Sequence, residues 1–211
     1  MKLMVLVPGG VYTPGFYLSS VRLGFALAQK KGWEIGFHNL YSPVVYEGRN
    51  RLLLNGQKAT KDAKPFGFDY DGILWLETDM VFDPEDAFTL IESGCDYISA
   101  LYSMGPSNPT VAVAGWYKEG KQARIQIPVA VKSEEDIMEV DYTGLGFVYM
   151  KAGVLEKIGY PWFHKLYEEQ DGEVKFLGDD FSLCNELREK GVTVNVHTKV
   201  VVGHEKQVVY R

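Results

Sequence analysis

Apolar residues fall along the chain in two rhythms. Short continuous runs are bounded by glycine, proline and acidic residues, and longer stretches repeat every three or four positions. The run from Lys2 to Val7 is short, rich in branched residues and stopped by Pro8-Gly9-Gly10, which predicts a buried strand. Leu18, Val21, Phe25 and Ala28 then recur at helical spacing, with Leu23 and Leu27 widening the stripe. The stripe ends near Lys30-Lys31-Gly32 and predicts a helix with a glycine stop. Trp33 to Asn39 reads as a second strand, Tyr46 to Leu54 as a second helix, and Lys58 to Lys64 as a polar loop. Asp71 to Leu76 is the clearest core strand and runs out into Glu77-Thr78-Asp79-Met80. Asp83 caps a further helix with Pro84 in its first turn, ending at Ser93-Gly94, and Asp96 to Leu101 is the next strand.

This alternation of strand and helix predicts an α/β fold, a mostly parallel central sheet flanked by helices. After Tyr102 the rhythm changes, and the back half reads as mixed. Thr110–Trp116 and Arg124–Val131 form a predicted hairpin joined by Tyr117-Lys118-Glu119-Gly120-Lys121. Leu145–Met150 is a strand, and Gly153–Ile158 a short helix closed by Gly159-Tyr160-Pro161. Phe181–Lys190 is a helix stopped by Gly191, and Val192–Val196 and Val200–Val202 are terminal strands.

No repeat or linker divides the chain, and 211 residues fit one domain, with residues 1–104 and 105–211 as its two halves. Two distant cysteines, Cys95 and Cys184, exclude a disulfide framework and a zinc ribbon. The apolar run Leu3 to Val7 is too short for a signal peptide, and no stretch approaches a membrane span. These features predict a soluble, cytoplasmic protein. The net charge of −6 is unevenly spread. Residues 1–64 hold nine Lys and Arg against three Asp and Glu, and residues 65–211 hold thirteen against twenty-five. Such a division suits a basic half that meets phosphates and an acidic half that holds a cation. The acidic total argues against a duplex-binding domain.

Ligands of parallel sheets bind beyond the carboxyl ends of the strands. Glu77-Thr78-Asp79 stands at such an exit, where two carboxylates can share a hard divalent cation with substrate phosphates. Solvation of a loop is the bland alternative. Arg49-Asn50-Arg51 offers guanidinium groups suited to phosphate or a base edge, or else a solvated helix face. Asp141-Tyr142-Thr143-Gly144-Leu145-Gly146-Phe147 has two glycines ahead of a strand, where a backbone can approach a ligand closely. Gly178-Asp179-Asp180 places two carboxylates at a helix start. There they serve as caps, or as a group that takes a proton from an acceptor hydroxyl. His204 ends an apolar strand, where an imidazole near carboxylates can complete a site for Mn²⁺. Tyr160-Pro161-Trp162-Phe163 and Tyr167 form an aromatic cluster, for which packing is the commoner role.

Taken in order, these segments resemble the GT-A superfamily of nucleotide-sugar-dependent glycosyltransferases, in particular its compact family 2-like members. Leu74-Trp75-Leu76-Glu77-Thr78-Asp79-Met80 is similar to that family's hydrophobic strand and DxD motif, with Glu in the first acidic place. Thr143-Gly144-Leu145-Gly146-Phe147 and Val154-Leu155-Glu156-Lys157-Ile158-Gly159 look like its acceptor-side strand and helix. The resemblance implies a metal-dependent transfer of a sugar from a nucleotide-diphospho-sugar, a UDP-sugar in the first instance, to a hydroxyl. It implies that Asp79, with His204 and Glu77, holds Mn²⁺ or Mg²⁺, Glu77 contacting ribose or metal. Pro8, Gly9, Arg49, Asn50, Glu77, Thr78 and Gly144 would lie at the donor. Asp180 or Asp179 would act as the catalytic base. The acceptor stays open, from a carbohydrate to a modified nucleic acid base. Two rivals remain: a sugar-phosphate nucleotidyltransferase, against which stands the lack of Lys or Arg between Pro8 and Arg22, and a non-catalytic nucleotide-sugar-binding module.

Overall fold

The structure is a computed structural model and describes residues 1–117, 124–170 and 172–206. In chain order the elements are β1 (Lys2–Pro8), α1 (Pro14–Ala28), β2 (Glu34–Leu40), α2 (Val45–Leu54), β3 (Gly72–Leu76) and β4 (Met80–Val81). There follow α3 (Pro84–Glu92), β5 (Tyr97–Leu101), β6 (Val111–Tyr117), β7 (Arg124–Pro128), β8 (Ile137–Glu139), β9 (Tyr142–Thr143) and β10 (Phe147–Lys151). The chain closes with β11 (Tyr167–Gln170), β12 (Glu173–Phe176), α4 (Asp179–Glu189), β13 (Val194–Val201) and β14 (Gly203–His204). The central sheet has seven strands in the order β2-β1-β3-β10-β5-β13-β8. Five run parallel, while β10 runs antiparallel between β3 and β5, and β8 antiparallel on the edge.

The continuous apolar runs of β1 and β3 have a simple cause: both sheet faces are covered, so neither set of alternating side chains meets water. Met4, Leu6, Ile73 and Trp75 face one core with residues of α2 and α4. Leu3, Val5, Val7, Leu74 and Leu76 face the other with residues of α1 and α3. The helix expected from Asp83 and Pro84 starts there, and Thr13, which the sequence pattern does not single out, caps α1. Thr13 Oγ1 accepts the Phe16 N–H at 3.3 Å to start α1, and Asp86 accepts the Asp83 N–H at 2.9 Å to start α3. Trp162 and Phe163 are buried in the core, whereas Tyr167 is exposed.

Four features differ from the sequence pattern. The stripe Leu18, Val21, Phe25 lies on the outer face of α1, and Phe16, Ser19, Leu23 and Leu27 are the buried residues. Periodicity finds this helix but cannot choose its inner face, because both faces are apolar. The helix expected over 153–158 is a single 3₁₀ turn, Leu155–Lys157, confined between Gly153 (φ +91°) and Gly159 (φ +73°). The two terminal strands are one strand, β13, with a register shift between His197 and Val201. The hairpin pairs β6 with β7 as expected, while its turn from Lys118 to Lys121 lies outside the described residues. The short pairings β11–β12 and β4–β14 carry too few residues for a visible pattern. The second sets Gly203 opposite Val81 and His204 opposite Met80.

Candidate active site

The site is built where β1 and β3 end. Beyond β1 the backbone passes directly over Thr78: Gly9 has φ +144°, and a Cβ there would stand 2.6 Å from Thr78 Cγ2. Only glycine makes that crossing without strain. Beyond β3 the chain turns tightly, Met80 N–H donating to the Glu77 carbonyl at 3.2 Å. Three other segments brace the turn. Thr13 N–H donates to the Thr78 carbonyl at 3.0 Å, Glu205 N–H to the Asp79 carbonyl at 2.8 Å, and Glu77 N–H to the Gly146 carbonyl at 2.8 Å. Glu205 is itself tied to α1, its carboxylate accepting the Gly15 N–H at 2.9 Å.

The turn sends its two carboxylates to different partners. Glu77 meets Arg49 of α2, whose Nη2 donates to Oε1, while Arg49 Nη1 donates to Asp179 Oδ2 at 2.6 Å. Arg49 is 4% exposed, and its guanidinium lies near the Trp75 and Phe163 rings, with centroids at 5.9 and 5.7 Å. Burial alone would lower its pKa, but Glu77, Asp179 and Asp180 together raise it, so the group is a fixed cation. Its Nε is buried without a hydrogen-bond partner among the described residues. Asp180, one residue on at the start of α4, has no ion pair among the described residues. Burial pushes its carboxyl above the ordinary range. The Phe181 N–H at 2.9 Å and Arg49 oppose this, and Asp179 and Glu77 reinforce it.

Asp79 turns the other way, toward β14 and the residues that follow. Its Oδ2 accepts from Lys206 Nζ at 2.6 Å and stands 3.3 Å from His204 Nε2. Burial would raise the Asp79 pKa, but His204 and Lys206 outweigh it and hold the carboxyl below its usual value. Oδ1 of Asp79 is buried and has no partner among the described residues. His204 Nδ1 donates to the Ser103 carbonyl at 2.7 Å, which fixes the ring with Nε2 turned toward Asp79. The Tyr102 ring stands edge-on to His204 at 5.4 Å, and its hydroxyl accepts the Gly146 N–H at 2.9 Å.

An unpartnered carboxylate oxygen beside an oriented imidazole nitrogen is a donor set that fits Mn²⁺ or Mg²⁺. Among the described residues no group of three or more His, Cys, Asp and Glu side chains gathers as a metal cage. A cation held by Asp79 and His204 therefore takes its remaining ligands from substrate or water. Between the turn and α2 lies a cavity of about 220 Å³ lined by Pro8, Gly9, Tyr41, Gly48, Thr78 and Asp79, among others. A larger cavity, about 530 Å³, opens at the amino end of β3 around Lys64, Tyr70 and Glu156, and no residue of this site lines it.

Sequence-predicted residues thus fall into two groups. Pro8, Gly9, Glu77, Thr78 and Asp79 line one cavity, with Arg49, Asp179 and Asp180 on one side of the turn and His204 on the other. Glu77 is engaged by Arg49 and does not join Asp79 and His204. Asn50 is not brought to the cavity. Its amide donates to the Tyr46 and Phe163 carbonyls at 3.0 and 2.6 Å and accepts the Phe163 N–H at 3.1 Å, fastening α2 to the chain beside it. Gly144 is not there either: it is buried, and a Cβ would strike the Tyr102 hydroxyl. Lys206, Tyr102 and the Ser103 carbonyl carry no motif and emerge only from the fold.

No family model matches the chain, and no curated protein sequence matches it. Solved structures do. A197 from STIV superimposes with a TM-score of 0.58 at 18% identity, covering 98% of this chain and 87% of that one. GalNAc-T7, solved with UDP, GalNAc and Mn²⁺, superimposes with a TM-score of 0.54 at 11% identity. The match covers 98% of this chain and 44% of GalNAc-T7, so the chain spans less than half of that protein. The fold is GT-A-like. At these identities the likeness carries the fold alone. No helix among the described residues is long and apolar enough to cross a membrane.

Proposed function

We infer that the chain is a glycosyltransferase that moves a sugar from a nucleotide-diphospho-sugar, with UDP as the favoured nucleotide, to an acceptor hydroxyl. The observation that carries this reading is the divided turn at the end of β3. It has an Asp79–His204 pair on one side and, on the other, Arg49 holding Asp179 with Asp180 next to it, with a cavity between β1 and α2 beside it. Asp79 and His204 would hold Mn²⁺ or Mg²⁺, which when bound offsets the charge of the diphosphate leaving group.

The chain's own residues do the rest. Pro8, Gly9 and Thr78 shape the floor of the cavity, and Tyr41, 66% exposed at its edge, offers a ring face to a nucleobase. Asp179 is committed to Arg49, so Asp180 is the carboxylate left to take the proton of the acceptor hydroxyl. Burial raises its pKa and so makes it a stronger base than an ordinary aspartate. Lys206 supplies a tethered positive charge at Asp79, available to a phosphate oxygen when substrate enters. The test is a panel of UDP-, GDP- and CMP-sugars with Mn²⁺ or Mg²⁺, read as nucleotide release. Metal-dependent release lost in Asp79→Ala supports the reading, and no binding of any donor with either metal overturns it.

A further inference from the structure

We propose that the outer face of α1 is a self-association surface, on which a second copy of this chain docks with its own α1 antiparallel to the first. The helix is apolar on both sides. Its inner residues Phe16, Leu23 and Leu27 cover the sheet, yet Tyr17, Leu18, Val21 and Phe25 stand 66%, 49%, 38% and 70% exposed on the opposite side. A helix that is apolar all round belongs in an interior, and this one has an interior on one side only.

The outward residues are ordered as a seam. Tyr17, Val21, Gly24 and Ala28 follow one another at spacings of four, three and four, the repeat by which one helix packs along another, and all four are exposed. Leu18 and Phe25 flank it. Gly24 is the second observation. Glycine inside a helix is unfavourable relative to alanine, and nothing among the described residues calls for it, since a Cβ at Gly24 meets none of their atoms within 4 Å. A helix from another molecule would call for it, because glycine admits close approach. A two-fold axis at Val21 sets Phe25 of each copy against Tyr17 of the other and seats each Leu18 over the opposite Gly24. That is the self-complementary arrangement of a two-fold dimer.

Charge and area favour a second copy over an anionic surface. Two of the three basic residues beside the seam are already balanced: Arg22 lies 3.7 Å from Asp83, and Lys30 3.6 Å from Glu92, both carboxylates at the ends of α3. That leaves exposed Lys31, past the helix end, as the one of the three without an ion pair among the described residues. The face therefore neither attracts lipid headgroups strongly nor repels its own copy. The four large side chains expose on the order of 500 Å², counting roughly 150–250 Å² for a whole aromatic side chain. Ile35 and Phe37 of edge strand β2, 37% and 56% exposed, extend the apolar surface on the same side of the sheet, being paired with Leu3 and Val5. Together these approach the roughly 800 Å² per partner of a standard interface.

Sedimentation velocity and light scattering on the full chain over a dilution series test this. The expected result is a species of twice the 23.8 kDa chain mass that dissociates on dilution. Val21→Arg and Gly24→Leu, at separate points of the seam, should each return the mass to that of one chain with circular dichroism and thermal unfolding of the monomer unchanged. A wild-type chain that stays monomeric throughout overturns the proposal, as does a dimer that survives both substitutions. So does a chain monomeric in solution that co-sediments with phosphatidylserine–phosphatidylcholine vesicles, which would assign the face to a membrane surface.

Discussion

Arg49 holds the candidate site open on one side by binding two carboxylates at once. Its loss leaves Glu77 and Asp179 facing each other without a counter-charge in a largely buried place. Removing one partner of a buried ion pair typically costs about 3–5 kcal/mol. Arg49→Met should therefore lower stability by ~3 kcal/mol or more in urea unfolding, a loss far larger than that of the exposed Arg51→Met. Asp180 gives a second prediction through its raised pKa. A base must be ionised, so activity should rise along an acid limb centred above the ordinary carboxylate range. Asp180→Asn should abolish that limb and lower turnover by roughly 10²–10⁴-fold while donor binding is retained. Both are read from the pH dependence of initial rates and from a donor titration. At Asp79, Lys206 sets a positive charge on Oδ2, next to the unpartnered Oδ1 that would take a metal. Lys206→Met should tighten Mn²⁺ binding in calorimetry, and an unchanged affinity would separate the lysine from the metal position.

Among elements, the exits of β1 and β3 govern the site, and they were the most legible parts of the chain. A buried strand with side chains on both faces announces itself as an unbroken apolar run, so Lys2–Pro8 and Gly72–Leu76 were visible, as were the polar turns that follow. Gly9 was visible as a glycine but not as a crossing over Thr78, because that requires knowing that β1 and β3 are neighbours. Gly9→Val should cost about 1–3 kcal/mol through overpacking and backbone strain, read as a lowered Tm. The pairing of β14 with β4 was hidden for a related reason. Two residues on each strand leave no period to read, and the contact joins positions more than a hundred residues apart. Hence His204 could be named from its place after an apolar run, whereas its bond to Ser103 and the neighbouring Lys206 could not. The glycines at 144 and 146 carried a true signal of close approach, but what approaches is the Tyr102 ring, a side chain of the chain itself.

Across the whole molecule, the charge division of the sequence becomes a meeting of two halves. Arg49, from the basic first 64 residues, pairs with Glu77 and Asp179 from the acidic remainder. The cavity beside the turn is lined from both parts: Pro8 to Gly48 on one side, Glu77 to Asp79 on the other. The GT-A-like fold sets these pieces at the carboxyl ends of the parallel strands, where ligands of such sheets bind. The central claim is that this cavity takes a nucleoside diphosphate through a cation held by Asp79 and His204. Its most direct test is calorimetric titration of UDP into the chain with and without Mn²⁺, repeated on Asp79→Ala. UDP binding should tighten with Mn²⁺ in the wild-type chain and lose that dependence in the variant. UDP binding that is indifferent to the metal in both chains, or no binding in either, would contradict it.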